Sequence, residues 1–268
     1  MESQEILVEV SDGVALITFN RPEQLNSLSE SMLQGLGDAY RRCDEDDNVR
    51  VVVVTGAGKA FCAGADLSQG GATFAEREDM TFSSCPLSMQ AYEVRKPVIA
   101  ACNGHAIGVG LGIAVQCDMR ILAEEGKYGF LQSRRGVIAD FAIHHLLPRM
   151  IGLENALQLI MTGQRLTGVE AKEKGLAARV LPTDEVLPAA LDMARDIAIN
   201  CSPLVIGMAK KMIWQGMGQS LADMEQLETR LLHYSMGRPD AIEGGMAFFE
   251  KRVPEWKSSV SKDWPDWF

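Results

Sequence analysis

Apolar and polar residues alternate in ILVEV (6–10) and again in GVALITFN (13–20), with an SDG turn signal joining them. This pattern predicts a two-stranded hairpin at the start of the chain. In SLSESMLQGLGDAYRRCDED the period lengthens. Met32, Leu33, Leu36, Ala39 and Tyr40 recur at helical spacing behind Ser29, a residue type suited to capping a helix N-terminus. RVVVVTG then abandons alternation altogether, and an apolar, β-branched run of this kind predicts a strand covered on both faces. KPVIAACNG, CDMRILA and GKYGF read as further strands, with GLGIAVQ as a helix between the first two. Strands and helices interleave in this way to about residue 182, which predicts an α/β core.

Beyond RVLPTDEV the pattern changes. From Leu187 to Phe249 the chain reads as successive helices broken at NCSP and GRPD. The helix SLADMEQLETRLLHYSM carries Leu221, Met224, Leu227, Leu231 and Leu232 on one side, so it needs a partner surface from the core or from a neighbouring subunit. Residues 68–86, SQGGATFAEREDMTFSSCP, mix glycine, serine and charge with Phe74, Met80 and Phe82. A flexible loop beside a pocket and a solvent-facing excursion are both compatible with that mixture.

Composition bounds the function. With 268 residues and 47% hydrophobic positions, the chain can bury a core without covalent staples. A net charge of −10 argues against nucleic acid as the main partner, although local cations can still meet a phosphorylated ligand. Cys43, Cys62, Cys85, Cys102, Cys117 and Cys201 include no C-x-x-C pair, and reduced thiols in a cytoplasmic protein are expected. The four histidines lack ligand spacing, so no metal is expected. MESQEILVEV lacks the basic and long apolar regions of a leader, and no apolar run is of membrane length, so no membrane association is expected.

Two glycine-rich turns are the candidate chemistry: TGAGKAFCAGADL (55–67) and GHAIGVG (104–110). Neither is a familiar phosphate motif. A P-loop would need glycine where Val53 stands and a hydroxyl residue at Ala60, and Gly108-Val-Gly110-Leu-Gly112 does not have dinucleotide-fingerprint spacing. Small residues would nevertheless let a ligand approach the main chain. The second turn also opens into a predicted helix, whose first N–H groups lack internal partners.

NRPEQLNSL, GAGKAFCAGADL, KPVIAACNGHAIGVG, QCDMRI, LPRMIG, TGQRLTGVEAKEKGLAARVL and FFEKRVPEW together resemble the crotonase superfamily, the enoyl-CoA hydratase/isomerase family, from about residue 5 to 257. The resemblance implies a spiral of ββα units (residues 1–198) followed by a helical region (199–268) for oligomerisation and pocket closure. It also implies trimers or dimers of trimers, an acyl-CoA thioester as substrate and no separate cofactor. The thioester oxygen would lie between the N–H of Ala65 and that of Val109, which stands where relatives often have glycine. By the same resemblance Lys59, Ala63, Asp66, Leu67, Gly108, Gln132, Phe248 and Lys251 fall at substrate-contact positions. Lys59 and Lys251 would meet phosphate or adenine, and Arg21 is a weaker candidate for that task. Asp66 is expected to brace its turn and Asp118 to be structural. The bland alternatives are a core aromatic for Phe248 and solvated cations for the lysines.

Relatives that hydrate enoyl thioesters efficiently use two glutamates, and the matching positions here are Gly112 and Gln132. Neither can ionise, so a two-glutamate hydratase is disfavoured. Asp140 occupies the place of the catalytic aspartate in members resembling enoyl-CoA and dienoyl-CoA isomerases. Its apolar neighbours Val137, Ile138, Ala139, Phe141 and Ile143 would raise its pKa on burial. The resulting expectation is a shift of a 3-enoyl-CoA to a 2-enoyl-CoA with Asp140 carrying the proton. Alternatives are an N-cap role for Asp140, a weak hydratase in which Gln132 positions water, and an acyl-CoA-binding homologue without activity. Nucleophilic dehalogenase chemistry would want a tryptophan at Gln132. His144 and His145 are expected at packing or surface positions, and Arg134 and Arg135 are candidates for tethering an acidic acyl group.

Overall fold

The computed structural model describes residues 5–68, 70 and 83–268. Strands β1 (Ile6–Ser11) and β2 (Val14–Phe19) form the expected antiparallel hairpin. Asp12 and Gly13 turn the corner with φ of 52° and 78°, the positive values that a tight hairpin turn demands. Helix α1 (Glu30–Glu45) begins as the spacing predicts, with the Ser29 side chain accepting from the Met32 N–H.

Strands β3 (Val51–Gly56), β5 (Val98–Cys102), β7 (Met119–Ala123) and β9 (Arg179–Leu181) add in parallel to give a six-stranded sheet, order β1-β2-β3-β5-β7-β9. A second, parallel three-stranded sheet joins β4 (Ala60–Cys62), β6 (His105–Ile107) and β8 (Tyr128–Gly129). The strands are dealt alternately: β3 to the large sheet and β4 to the small, then β5 and β6, then β7 and β8. The chain therefore winds as a spiral whose turns are alike in structure although their sequences do not repeat.

The prediction for RVVVVTG holds because β3 lies inside the large sheet, with Val52 and Val54 in one apolar cluster and Val51 and Val53 in another. The first cluster fills the space toward α1, α2 (Val109–Gln116) and the small sheet; α6 (Thr183–Asn200) covers the other face. Val186, Ala190, Ala194 and Ala198 recur every fourth residue along α6, and their small side chains bring the helix close to the strands.

Helices α3 (Ile143–Ile151), α4 (Leu153–Thr162) and α5 (Gly168–Glu173) follow the small sheet. Helices α7 (Pro203–Gly216), α8 (Leu221–Met236), α9 (Pro239–Glu250) and α10 (Val260–Asp263) form the C-terminal part. Leu231 of α8 packs with Leu204 and Met208 of α7 and with Trp264 and Phe268 of the tail. The five-residue apolar stripe expected on α8 is divided: Leu231 is 3% exposed, whereas Leu221 is 86% and Leu232 59% exposed. Most of the loop singled out at 68–86 lies outside the described residues.

Candidate functional site

The first turn follows β3 and is fastened by two asparagines. Asn26, fully buried, donates from Nδ2 to the carbonyls of Ala57 (2.9 Å) and Ala60 (2.7 Å) and accepts from the Arg21 N–H (2.8 Å). Asn103 donates to the carbonyls of Gly56 (2.8 Å) and Gly58 (3.0 Å) and accepts from the Gly56 N–H (3.2 Å). Neither asparagine was singled out in the sequence. Asn103 stands just outside β5 next to a glycine, a signal many turns share, and Asn26, two residues beyond the short turn Pro22–Gln24, carries no distinct local signal.

Residues 63–66 then run beside 25–28. The Ala63 N–H donates to Leu25 O (3.0 Å), the Leu28 N–H to Gly64 O (2.8 Å) and the Asp66 N–H to Leu28 O (3.1 Å). Extended backbone alternates its polar groups, so a pairing that uses Gly64 O and Asp66 N directs the Ala65 N–H away from residues 25–28. That opposite side is where the second turn packs. A Cβ placed on Gly64 would come 3.0 Å from Ile107 O, and one on Gly110 would come 2.4 Å from Cys62 O. Gly108 adopts φ 56°, ψ −121°, which is glycine territory, and delivers the chain into α2, whose first residue is Val109. Among the described residues neither the Ala65 N–H nor the Val109 N–H donates to a main-chain oxygen. The geometry thus brings two adjoining turns together, each with a spare amide.

Asp66 behaves as a brace. Its carboxylate accepts from the Ser68 N–H (2.9 Å) and pairs with the Arg21 guanidinium (3.0 Å), and these contacts hold it below its ordinary value, the Ser68 amide contributing most. Arg21 also pairs with Glu5 (3.1 Å) and donates to Ser27 O (2.7 Å). This corrects the suggestion of Arg21 as a cation for the nucleotide: its guanidinium is committed to the turn. Asp118 is structural as expected, accepting from the Val98 N–H (2.7 Å) and the Trp214 indole (2.7 Å) and pairing with the buried Lys210 (2.9 Å). Lys59 is exposed beside the first turn, Ala63 is half-buried and Leu67 is 36% exposed.

Asp140 lies between the short 3-10 turn Gln132–Arg135 and α3. It does not cap α3. The helix starts after Ala142 with no side-chain cap, which corrects the N-cap alternative. Phe141 and Ala142 have φ of 57° and 56°, two consecutive left-handed residues without the excuse of glycine. The conformation is held because the Phe141 N–H donates to Ser84 O (2.9 Å) and Phe141 O accepts from Gln116 Nε2 (3.2 Å).

Asp140 is half-buried, and burial pushes its carboxyl up to about 6 against the partial relief of hydrogen bonds from its own backbone and from Gln132. Gln132 Nε2 donates to Asp140 Oδ1 at 3.4 Å. The same amide rests on the second turn, since a Cβ on Gly108 would lie 3.5 Å from Nε2. Acid, amide and spare main-chain N–H groups therefore belong to one locality. Of the apolar neighbours expected to desolvate Asp140, Ala139, Phe141 and Ile143 are buried and Val137 is half-buried, but Ile138 is 82% exposed.

Phe141 has a second consequence that the sequence hid. A Cβ on Gly112 would approach Phe141 Cβ at 2.9 Å and Cγ at 3.3 Å, so the ring already fills the space a side chain from that position of α2 would need. His144 and His145 are exposed, as expected, and His105 Nδ1 accepts from the Lys127 N–H (3.0 Å). Arg134 donates to Thr162 O (2.7 Å), and Arg135 is exposed. Phe248 is 80% exposed and packs edge-on against Phe249, so the core-aromatic alternative is wrong; Lys251 is exposed at the end of α9. No sulfur pairs with another, and no group of three metal-ligating side chains exists among the described residues. Two surface depressions, of about 500 Å³ beside Lys174 and about 450 Å³ along α4, share no residue with the two turns.

Residues 9–259 match the family model described as enoyl-CoA hydratase/isomerase. A probable enoyl-CoA hydratase/isomerase from Mycobacterium abscessus has a crystal structure that superposes with a TM-score of 0.93 at 44% identity, covering 96% of this chain and 100% of that one. The enoyl-CoA hydratase of Bacillus anthracis superposes with a TM-score of 0.88 at 36% identity over 95% of this chain and 99% of its own. A probable mitochondrial enoyl-CoA hydratase of Dictyostelium discoideum is 36% identical over 254 residues, 92% of this chain and 89% of that protein.

Proposed function

This chain belongs to the enoyl-CoA hydratase/isomerase family, and from that premise we propose that it isomerises a 3-enoyl-CoA to the conjugated 2-enoyl-CoA. The observation that carries the reading is a single half-buried carboxylate, Asp140, pushed up to about 6 beside Gly112 and Gln132, the two positions from which glutamates would come in a two-acid hydratase. Phe141 closes the first of these positions to any side chain. A base near 6 is ionised at neutral pH yet holds a proton well enough to return it.

In the proposed reaction Asp140 removes a proton from C2 of the acyl chain. The C–H electron pair moves into the thioester, forming a dienolate whose oxygen is held by the N–H groups of Ala65 and Val109. Asp140 then delivers the proton to C4, the double bond settles between C2 and C3, and the carboxylate is regenerated. Atoms and charge balance within substrate and side chain, so the shift calls for no redox partner. Preorganised donors of this kind supply about 10²- to 10³-fold in rate, and a positioned acid–base group about 10²- to 10⁴-fold. Gly108, Ala63 and Leu67 would line the thioester's path, with Asp66 holding the turn. The exposed lysines Lys59 and Lys251 suit the phosphates of coenzyme A, and Phe248 suits its adenine.

Exposed apolar side chains on α8 and α9, among them Leu221, Leu232, Ile242, Phe248 and Phe249, support burial against further copies of the chain as a trimer or dimer of trimers. Sedimentation equilibrium tests that assembly. Among the described residues no helix is long and apolar enough to cross a membrane.

A second reading, hydration, is favoured by the naming of the Bacillus anthracis and Dictyostelium discoideum relatives as hydratases. In it Asp140 would activate water that Gln132 orients. Incubation with 3-hexenoyl-CoA and, separately, crotonyl-CoA decides between them. Conjugated product from the first supports isomerisation; hydration of the second with no conversion of the first rejects it.

A further inference from the structure

Gln132 holds an unusual place. Its side chain is 8% exposed, Nε2 reaches Asp140, and Oε1 has no partner among the described residues although it is buried. A buried amide oxygen without a donor is destabilising, so the arrangement calls for an occupant of that acceptor during the working cycle. The residue is also firmly seated. Its main-chain oxygen accepts from the Val137 N–H (3.2 Å) and from Gly136, which closes the 3-10 turn in the left-handed conformation. The amide can therefore turn about its last torsion while its stem stays fixed, and that torsion has two nearly equivalent settings half a turn apart.

The two settings match the two states of the neighbouring acid. An ionised carboxylate offers only acceptors and needs the N–H of the amide. A protonated carboxyl carries an O–H and needs an acceptor. We propose that Gln132 is a positioning residue that grips the Asp140 carboxylate through Nε2 and, by turning its amide over, accepts the O–H of the same group through Oε1 once the proton has been taken. The inference rests on the isomerase reading, in which Asp140 must hold its proton between C2 and C4 without swinging away. No charged side chain among the described residues adds to the displacement of Asp140, and the titratable group facing it from the segment before β5 is the Cys85 thiol, itself raised by burial. The amide is thus the polar side chain that adapts to the acid.

The test uses the full chain with 3-hexenoyl-CoA over pH 5 to 9, comparing wild type, Gln132→Leu, Gln132→Glu and Asp140→Asn. Removing the donor in Gln132→Leu is expected to move the acid limb of kcat upward by about one unit, a typical consequence of losing one hydrogen bond to an ionised group. It should lower kcat about tenfold and leave KM within about twofold. Gln132→Glu should move the limb further, because two carboxylates then share the site. A Gln132→Leu enzyme with limb and kcat unchanged overturns the inference while an inactive Asp140→Asn leaves the isomerase reading standing. A fully active Asp140→Asn overturns that reading and this inference together. Should the leucine variant fold poorly, the side-chain ¹⁵N resonance of Gln132 in wild type serves instead. It must titrate with the midpoint of the kcat limb, and a flat response overturns the proposal.

Discussion

Two acidic turns border the same site, and the chain treats their carboxylates in opposite ways. Asp66 is gripped by the Ser68 amide and the Arg21 guanidinium, which hold its proton off. Asp140 has no cation beside it among the described residues, only its own backbone amide and one long side-chain contact from Gln132, and burial pushes it up to about 6. The first environment suits a group that must stay charged and still. The second suits one that gains and loses a proton near neutrality. A carboxylate is assigned to structure or to chemistry by what has been withheld from it as much as by what it touches.

The largest expected effect is at Asp140. Asp140→Asn should lower isomerisation of 3-hexenoyl-CoA by about 10²- to 10⁴-fold with the fold intact, read as kcat alongside circular dichroism. Next is the pH profile. Because the ionised form is the base, kcat should fall about tenfold per unit below a midpoint near 6; a profile flat to pH 5 would contradict the assignment. The same substitution should show the opposite sign in stability. Asp140 holds its proton more tightly folded than unfolded, so its contribution is present below the ordinary value of 3.8 and lost as pH rises through about 6. Asp140→Asn should therefore gain on the order of 2 kcal/mol over wild type at pH 8 and little at pH 4, read as urea midpoints. The smallest effect belongs to the brace. Asp66→Asn should change kcat by less than about threefold and lower the Tm by a few degrees at most, as a partly exposed ion pair contributes about 1 kcal/mol or less.

How much of this was legible in the sequence depended on range. The hairpin, the Ser29 cap, the doubly covered β3 and the change to helices after residue 182 are short-range patterns, and each is found where its spacing puts it. The small sheet was only half legible. β4 and β6 are three residues each and β8 is two, too short for a period to declare itself, and they exist because their neighbours in the spiral supply the hydrogen bonds. Asp140 stood out through family resemblance and apolar neighbours, but the sequence could not tell an acid from a cap. The cap is excluded by the left-handed Phe141–Ala142 pair, which starts α3 too late for Asp140 to reach it. The asparagine clamps at 26 and 103, the commitment of Arg21 and the ring of Phe141 over Gly112 all join residues at least five and mostly tens of positions apart. No local pattern encodes them.

The contact between Phe141 and Gly112 also constrains how this protein can change. Introducing a glutamate on α2 to recreate a two-acid arrangement would drive the new side chain into the ring, since even the first carbon would stand 2.9 Å from Phe141 Cβ. Trimming the ring alone would leave a void of the kind that costs about 3–5 kcal/mol for a buried phenylalanine. Each single step is thus harmful, and the double step relieves only the ring contacts, so the backbone carrying residue 141 must also draw back from α2. Descent from one chemistry to the other across this site would require a bystander elsewhere to tolerate the intermediate, and laboratory selection should recover the two changes together or not at all.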